Sequence, residues 1–206
     1  MSYFGTLKGL ISDTVGRIVR LDSSTHAMET IAYAHHEVHD GDSFTCHYNN
    51  DVTNIGEMTV IAFNTPDTTK WIHLVAEYGA SAASYFALYE ITSIDVDEGT
   101  QLTIYNRNRN SATASTVTSI ETVPVANKAT SYTEAQAAGA NITTTTELAR
   151  IYLGSGVRKS IGAGSRGADE FMLKQNTQYA AMLVATTNDD CTHNITLDWY
   201  EHTDKG

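Results

Sequence analysis

Five of the eight histidines lie between residues 26 and 47, and imidazoles at this density could bind a metal ion. The zinc-protease motif needs two histidines separated by three residues on a helix, but His36 and His39 are separated by two. In a strand, His35 and His39 share a face but lie roughly 13 Å apart at about 3.3 Å per residue. We therefore expect a strand with histidines on its polar face, ending in a turn at residues 40–42, and neither a metal site nor a cofactor. The five are His26, His35, His36, His39 and His47.

Residues 106–111 (NRNRNS) combine two arginines with three asparagines. Arg107 and Arg109 could clasp a carboxylate or a phosphate. Such a loop more often bonds its own backbone through the asparagine side chains, and this is our prediction.

Gly162, Gly164 and Gly167 have the spacing of a dinucleotide-binding loop. That motif requires a strand before it and a helix after it, so that the phosphates meet a helix N-terminus. Residues 171–174 instead have the pattern of a strand. We therefore predict no nucleotide site but a hairpin loop, which carries the basic residues Arg158, Lys159 and Arg166.

The remaining composition disfavours several classes of function. No carboxylate pair, nucleophile with a base, or metal trio occurs at workable spacing, so we expect no enzyme. A formal net charge of -11 disfavours a nucleic-acid partner. No apolar run reaches the roughly 20 residues that span a bilayer, and the N-terminus does not resemble a signal peptide. We expect a protein made in the cytoplasm, with no membrane partner. Cys46 and Cys191 could pair if they are adjacent in space, but we expect two buried thiols.

The elements that would position these residues are strands. Residues 178–185 alternate so that Tyr179, Ala181, Leu183 and Ala185 share a predicted core face, and residues 195–200 alternate likewise. The polar residues 186–190 between them indicate a turn. We predict a closing hairpin whose strands pair with the region of residues 35–48.

Further strands are predicted along the chain, giving about nine or ten, with turn signals every 8 to 12 residues. This pattern predicts an all-β fold, an antiparallel jelly-roll-like β-sandwich with an N-terminal arm. The arm is residues 1–24, and residues 25–206 form a single sandwich domain. The other strands are predicted at residues 44–48, 57–64, 70–78, 84–92, 102–105, 117–125, 147–153 and 171–174.

The arm is locally basic on an acidic chain. Its apolar residues are spaced by three and four, as on one face of a helix, although glycines weaken that pattern. Two interpretations stay open: a docking arm that orders on a partner, or an extended segment packed along its own domain. The apolar residues are Phe4, Leu7, Ile11, Val15 and Ile18, and the basic ones are Lys8, Arg17 and Arg20.

Five motifs together resemble a family of virion proteins from tailed bacteriophages. They are HHEVHDG (35–41), TPDTTKW (65–71), YNRNRNS (105–111), LKQNT (173–177) and WYEH (199–202). Proteins of this family are thought to be β-sandwich decoration (cement) proteins, or related head and tail appendages. The resemblance does not cover the arm or residues 112–168.

The resemblance implies a homotrimer on the outer surface of a phage head, where each subunit bridges copies of the major capsid protein. A carbohydrate-binding module of a head or tail fibre is the alternative. The expected capsid contacts are Phe4, Leu7, Lys8, Ile11, Arg17 and Arg20. The expected subunit contacts are Trp71, His73, Tyr85, Arg107 and Arg109.

Overall fold

The computed structural model describes residues 33–91, 100–117, 120–122, 145–154, 157–161 and 170–203. These residues form one helix and twelve strands. No described helix is long and apolar enough to cross a membrane. The elements are α1 (Tyr33–Asp40), β1 (Ser43–Val52), β2 (Met58–Asn64), β3 (Lys70–Ala80), β4 (Ser84–Ile91), β5 (Thr100–Gln101), β6 (Tyr105–Asn106), β7 (Ile120–Thr122), β8 (Thr145–Leu153), β9 (Val157–Ile161), β10 (Phe171–Leu173), β11 (Gln178–Ala185) and β12 (Cys191–Thr203).

The strands form two antiparallel six-stranded sheets, which confirms the predicted all-β sandwich. The first sheet has the order β10-β3-β12-β1-β6. Its sixth strand, β9, pairs with β3, as β10 does. The second has the order β5-β7-β2-β11-β4-β8. The jelly-roll connectivity and the N-terminal arm stay predictions.

The predicted closing hairpin is wrong, because β11 and β12 belong to different sheets. β11 pairs with β2 and β4, whereas β12 pairs with β1 and β3. The polar residues 186–190 therefore carry the chain from one sheet to the other. The predicted pairing of this region with residues 35–48 is correct for β1, whose Ser43 to Val52 pair with Tyr200 to Cys191.

Alternate residues of the strands fill the core between the sheets. Tyr179, Ala181, Leu183 and Ala185 of β11 lie there, as predicted. The intervening side chains of β11 are also buried, on the face of the second sheet that points away from the core. There they join residues of β2 and β4 in what we call the apolar layer: Met58, Val60, Ala62, Tyr85, Ala87, Tyr89, Ile91, Ala180, Met182 and Val184.

Residues 33–40 are helical, so the predicted histidine-bearing strand is wrong. His36 Nδ1 lies 3.1 Å from Asp40 Oδ2, one helical turn away. The predicted turn is correct: the Gly41 amide donates to Val38 O at 3.2 Å and Gly41 has φ 81°, which glycine adopts readily at a helix end. A Cβ there would lie 2.3 Å from Ser111 Oγ, so the site also lacks space for a side chain.

Three further predictions need correction. Residues 49–51 and 79–80, predicted as turns, continue β1 and β3. Residues 157–161, predicted as a loop that includes Arg158 and Lys159, form β9 beside β3. In each case backbone pairing with a long neighbouring strand outweighs the local preference of polar or small residues for turns.

A buried histidine links the two sheets through the core. His193 is 0% exposed and bridges the sheets, with Nδ1 3.1 Å from Thr59 Oγ1 and Nε2 3.0 Å from Ser84 Oγ. Cys46 and Cys191 are free and buried, which confirms the predicted pair of thiols. Burial raises the pKa of the Cys46 thiol to about 12, so this group stays protonated at neutral pH.

Candidate functional site

The segments that carry the five motifs meet at one end of the sandwich. Near the end of α1, His39 O accepts from Asn108 Nδ2 at 3.0 Å, and Gly41 O accepts from Asn106 Nδ2 at 2.7 Å. The Glu201 amide of β12 donates to Asp42 O at 2.9 Å. Segments far apart in the sequence are therefore direct neighbours in the fold.

Two further motifs are joined at the same end. Thr65 Oγ1 donates to Lys174 O at 2.6 Å and accepts from the Thr177 amide at 3.0 Å. Gln175 Nε2 donates to Lys70 O at 3.1 Å. The Lys70 ammonium pairs with Asp42 at 2.8 Å, which links these loops to the end of α1. We call residues 39–42, 65–71, 105–111, 173–177 and 199–203 the motif end.

The arginine–asparagine loop is held by its own backbone, as predicted. The Asn108 amide donates to Asn106 Oδ1 at 2.8 Å, and the Asn110 amide donates to Asn108 Oδ1 at 3.1 Å. The arginines are also engaged. Arg107 Nη1 lies 3.8 Å from Asp198 Oδ2, and Arg109 lies 5.6 Å from the ring centre of Tyr105, which is 40% exposed. Contacts within the chain therefore fix the conformation of this loop and of its arginines.

A buried carboxylate anchors the motif end. Glu201 is 0% exposed and accepts hydrogen bonds from three residues. The Ser115 hydroxyl donates at 2.5 Å, the Thr116 hydroxyl at 2.6 Å and the Thr116 amide at 3.0 Å. Trp199 Nε1 donates at 3.1 Å. Because every donor points at one side chain, Glu201 ties residues 115–116 to β12.

Four polar residues form what we call the histidine cluster, on the outer face of the first sheet. His73 of β3 and His202 of β12 have their Nε2 atoms 2.7 Å apart. His73 Nδ1 lies 2.9 Å from Glu170 Oε1, and the Tyr200 hydroxyl donates to the same oxygen at 2.8 Å. The rings of His73 and Tyr200 stack with centres 4.6 Å apart. His73 is 8% exposed.

Alternation along β12 places Tyr200 and His202 on one face, but that pattern alone cannot give their neighbours. The register of β12 against β3 determines these neighbours, since it places His73 opposite Tyr200 and Trp71 opposite His202. Glu170 joins from the segment just before β10, and no local pattern in the sequence predicts this contact.

The expected subunit contacts lie on two opposite faces. Trp71 and His73 lie on the outer face of the first sheet, and Arg107 lies beside that sheet's Asp198. Tyr85 belongs to the apolar layer of the second sheet and is only 7% exposed. Tyr85 therefore cannot share one continuous patch with the other candidates, and it offers little surface to a partner.

An arginine from β8 covers part of Tyr85. Arg150 Cζ lies 4.8 Å from the centre of the Tyr85 ring, and Arg150 Nη2 is 2.5 Å from Glu147 Oε2. This hydrogen bond lowers the pKa of Glu147 below its ordinary value. Tyr89 also donates to Glu147, at 3.0 Å. At this edge of the second sheet, the side chains of Arg150, Glu147 and Tyr89 therefore hydrogen-bond to one another.

Several sequence predictions fall outside the described residues. The expected capsid contacts Phe4, Leu7, Lys8, Ile11, Arg17 and Arg20 are among them. So are His26, Arg166 and the glycines 162, 164 and 167.

One pair of side chains has the residue types of a catalytic site but is buried. Ser84 and His193 have the contact of a nucleophile and its base, but both are at most 1% exposed, so no substrate can reach them. Within the described ranges, no group of three or more His, Cys, Asp or Glu side chains converges as a metal site.

Comparison of the chain with known protein families, with characterised proteins and with solved structures finds no match.

Proposed function

We propose that the protein is a capsid decoration (cement) protein of a tailed bacteriophage, which binds the outer surface of the head as a trimer. One observation carries the proposal: the segments with the five motifs that resemble the phage virion family lie together at one end of the sandwich, joined by hydrogen bonds, by strand pairing of Trp71 with His202 and by the Lys70–Asp42 ion pair. Five matches scattered over the surface would carry less weight than one shared structural unit.

The connectivity supports the jelly-roll part of this proposal. The first four strands alternate between the sheets: β1 and β3 lie in the first sheet, and β2 and β4 lie in the second. Later, β11 enters the second sheet between β2 and β4, and β12 enters the first between β1 and β3. Two interleaved Greek keys produce this kind of order.

The proposed mechanism is multivalent clamping. Each subunit bridges neighbouring copies of the major capsid protein, and joining three subunits makes the second and third contacts effectively intramolecular. In the arm, Phe4, Leu7 and Ile11 would be the apolar anchors. Burying each could contribute about 1.5 to 3 kcal/mol before ordering costs. Lys8, Arg17 and Arg20 would be its charged anchors.

The trimer contact is proposed for the outer face of the first sheet, where Trp71, Arg107 and Arg109 present surface. His73 lies on the same face but, at 8% exposed, presents as little surface as Tyr85. Trp71 is half-buried, and the Arg107 side chain is 33% exposed, so both still present surface to a partner. Aromatic and arginine side chains are favoured at the centres of such interfaces.

Sedimentation with undecorated phage heads tests the proposal. The intact chain is expected to be a trimer by light scattering at micromolar concentration and to co-sediment with heads. A chain lacking residues 1–24 should remain folded but lose head binding, because the arm supplies the anchors. Undiminished binding by the shortened chain would refute the role of the arm, and a monomer would refute the trimer.

A second candidate is a carbohydrate-binding module of a head or tail fibre. Tyr105 favours it, because this side chain is 40% exposed at the start of a loop held rigid by asparagines. A sugar would bind beside His47 and Arg109, which lie against the ring. Retention on host surface polysaccharide, lost in Tyr105→Ala and without any head binding, would favour this candidate over decoration.

A further inference from the structure

The apolar layer is buried although it lies on the outer face of the second sheet, the face that points away from the core. Each of its residues is at most 7% exposed. A sheet face without a neighbour would leave such side chains in water. The twelve described strands all belong to the two sheets, and α1 contacts the loop at residues 105–111 beside the first sheet. The neighbour of the apolar layer is therefore to be sought outside the described residues.

The strand order places a long connection across this sheet. The chain leaves β7 at Thr122 and enters β8 at Thr145. β2, β11 and β4 lie between these two strands, so the connection spans four strand spacings, or roughly 19 Å. All four intervening pairings are antiparallel, so β7 and β8 run in the same direction. Such strands are joined by a crossover of a dozen or more residues, and residues 123–144 provide 22.

The handedness of this crossover selects the outer face. Ala185 of β11 faces the core, its amide donates to Glu57 O at 2.9 Å, and its carbonyl accepts from the Gly56 amide at 2.9 Å. For L-residues, these bonds place β2 and β7 to the right of β11, and β4 and β8 to its left, when the sheet is seen from the core with β11 running upward. A right-handed crossover from β7 to β8 then passes over the outer face. About 98% of such connections are right-handed.

We propose that residues 123–144 pack on the apolar layer as a third layer of the domain. Their composition suits this place, because Lys128 and Glu134 are their only charged residues. Their six alanines allow the chain to approach a sheet closely, and Tyr132 and Ile142 provide larger apolar side chains. The other side of the second sheet cannot take them, since the core is filled by the first sheet.

A second connection crosses the same sheet but is too short to fill the layer. Residues 92–99 join β4 to β5, which are also four strand spacings apart. Eight residues that span roughly 19 Å run nearly straight, so they reach only one strip of the layer. The longer connection is therefore its main occupant, which leaves the outer face of the first sheet as the broad surface for a partner. This inference does not depend on the proposed capsid function.

Methionine methyl groups test the proposal in the full chain. Met58 and Met182 belong to the apolar layer, whereas Met172 is 60% exposed on the first sheet and is the matched control. With isotope-labelled methionine methyl groups, we expect nuclear Overhauser effects from Met58 and Met182 to protons of residues 123–144, and none from Met172. Effects that reach only residues 1–24, only residues 92–99 or, in an isotope-filtered mixture, only a second copy would overturn the proposal. So would the absence of any effect to residues 123–144.

Replacing residues 126–141 by the same number of glycines and serines should expose the layer. We expect the fluorescence of the dye ANS, which binds exposed apolar surface, to rise several-fold, and the variant to unfold at a lower urea concentration than the unmodified chain. The matched control replaces residues 2–17 in the same way, and its ANS fluorescence should match that of the unmodified chain. Unchanged ANS fluorescence in the first variant, or an equal rise in both, would overturn the proposal. If the first variant does not fold, the methionine measurement on the intact chain decides.

Discussion

Replacing Glu201 by alanine is expected to lower the free energy of unfolding by about 3 kcal/mol, because it leaves buried donors without an acceptor. The Thr116 amide and Trp199 Nε1 both donate to this carboxylate. Without Glu201, Trp199 Nε1 keeps only its longer contact with Ser115 Oγ, at 3.3 Å, and the described contacts give the Thr116 amide no other acceptor. Urea denaturation followed by tryptophan fluorescence measures the change.

Glu77→Ala is the matched control, since it removes an exposed carboxylate from the neighbouring strand β3. A surface change of this kind is expected to stay within about 0.5 kcal/mol. Equal effects of the two substitutions would contradict the anchoring role of Glu201.

Replacing Phe86 by alanine is expected to lower the free energy of unfolding by about 3 to 5 kcal/mol. Phe86 of the second sheet is 0% exposed and stacks on Tyr78 of the first sheet, with ring centres 4.0 Å apart and planes at 6°. Truncation removes a contact between the sheets and leaves a cavity that their paired strands cannot close. Thermal and urea unfolding both report this loss.

Ile55→Ala provides the comparison, because this side chain is 56% exposed in the loop between β1 and β2. It should unfold at nearly the same urea concentration as the unmodified chain. A Phe86→Ala variant as stable as Ile55→Ala would show that the two sheets are not packed as described.

The sequence predicted the fold best where one face of a strand differs clearly from the other. In β12, Ile195, Leu197 and Trp199 are buried and alternate with half-buried polar residues, which agrees with the predicted alternation of residues 195–200. In β11 both faces are buried. Its pattern predicts which residues face the core, but it does not show that β11 and β12 belong to different sheets. Sheet partners depend on long-range packing that local alternation does not encode.

The candidate site was only partly predictable, for the same reason. The asparagine bonds of residues 106–111 are local, and the prediction for that loop is confirmed. The contact of His73 with His202 depends on the register of β3 against β12, which spans more than half the chain. Strand spacing of His35 and His39 does not predict the helix at residues 33–40, in which His36 and Asp40 pair at helical spacing.

Cryo-electron microscopy of the intact phage particle tests the central claim most directly. The account predicts threefold density on the outer surface of the head, into which three copies of the sandwich fit, each touching more than one capsid subunit. Density for the protein only on a tail or fibre, or its absence from the particle, would contradict the claim.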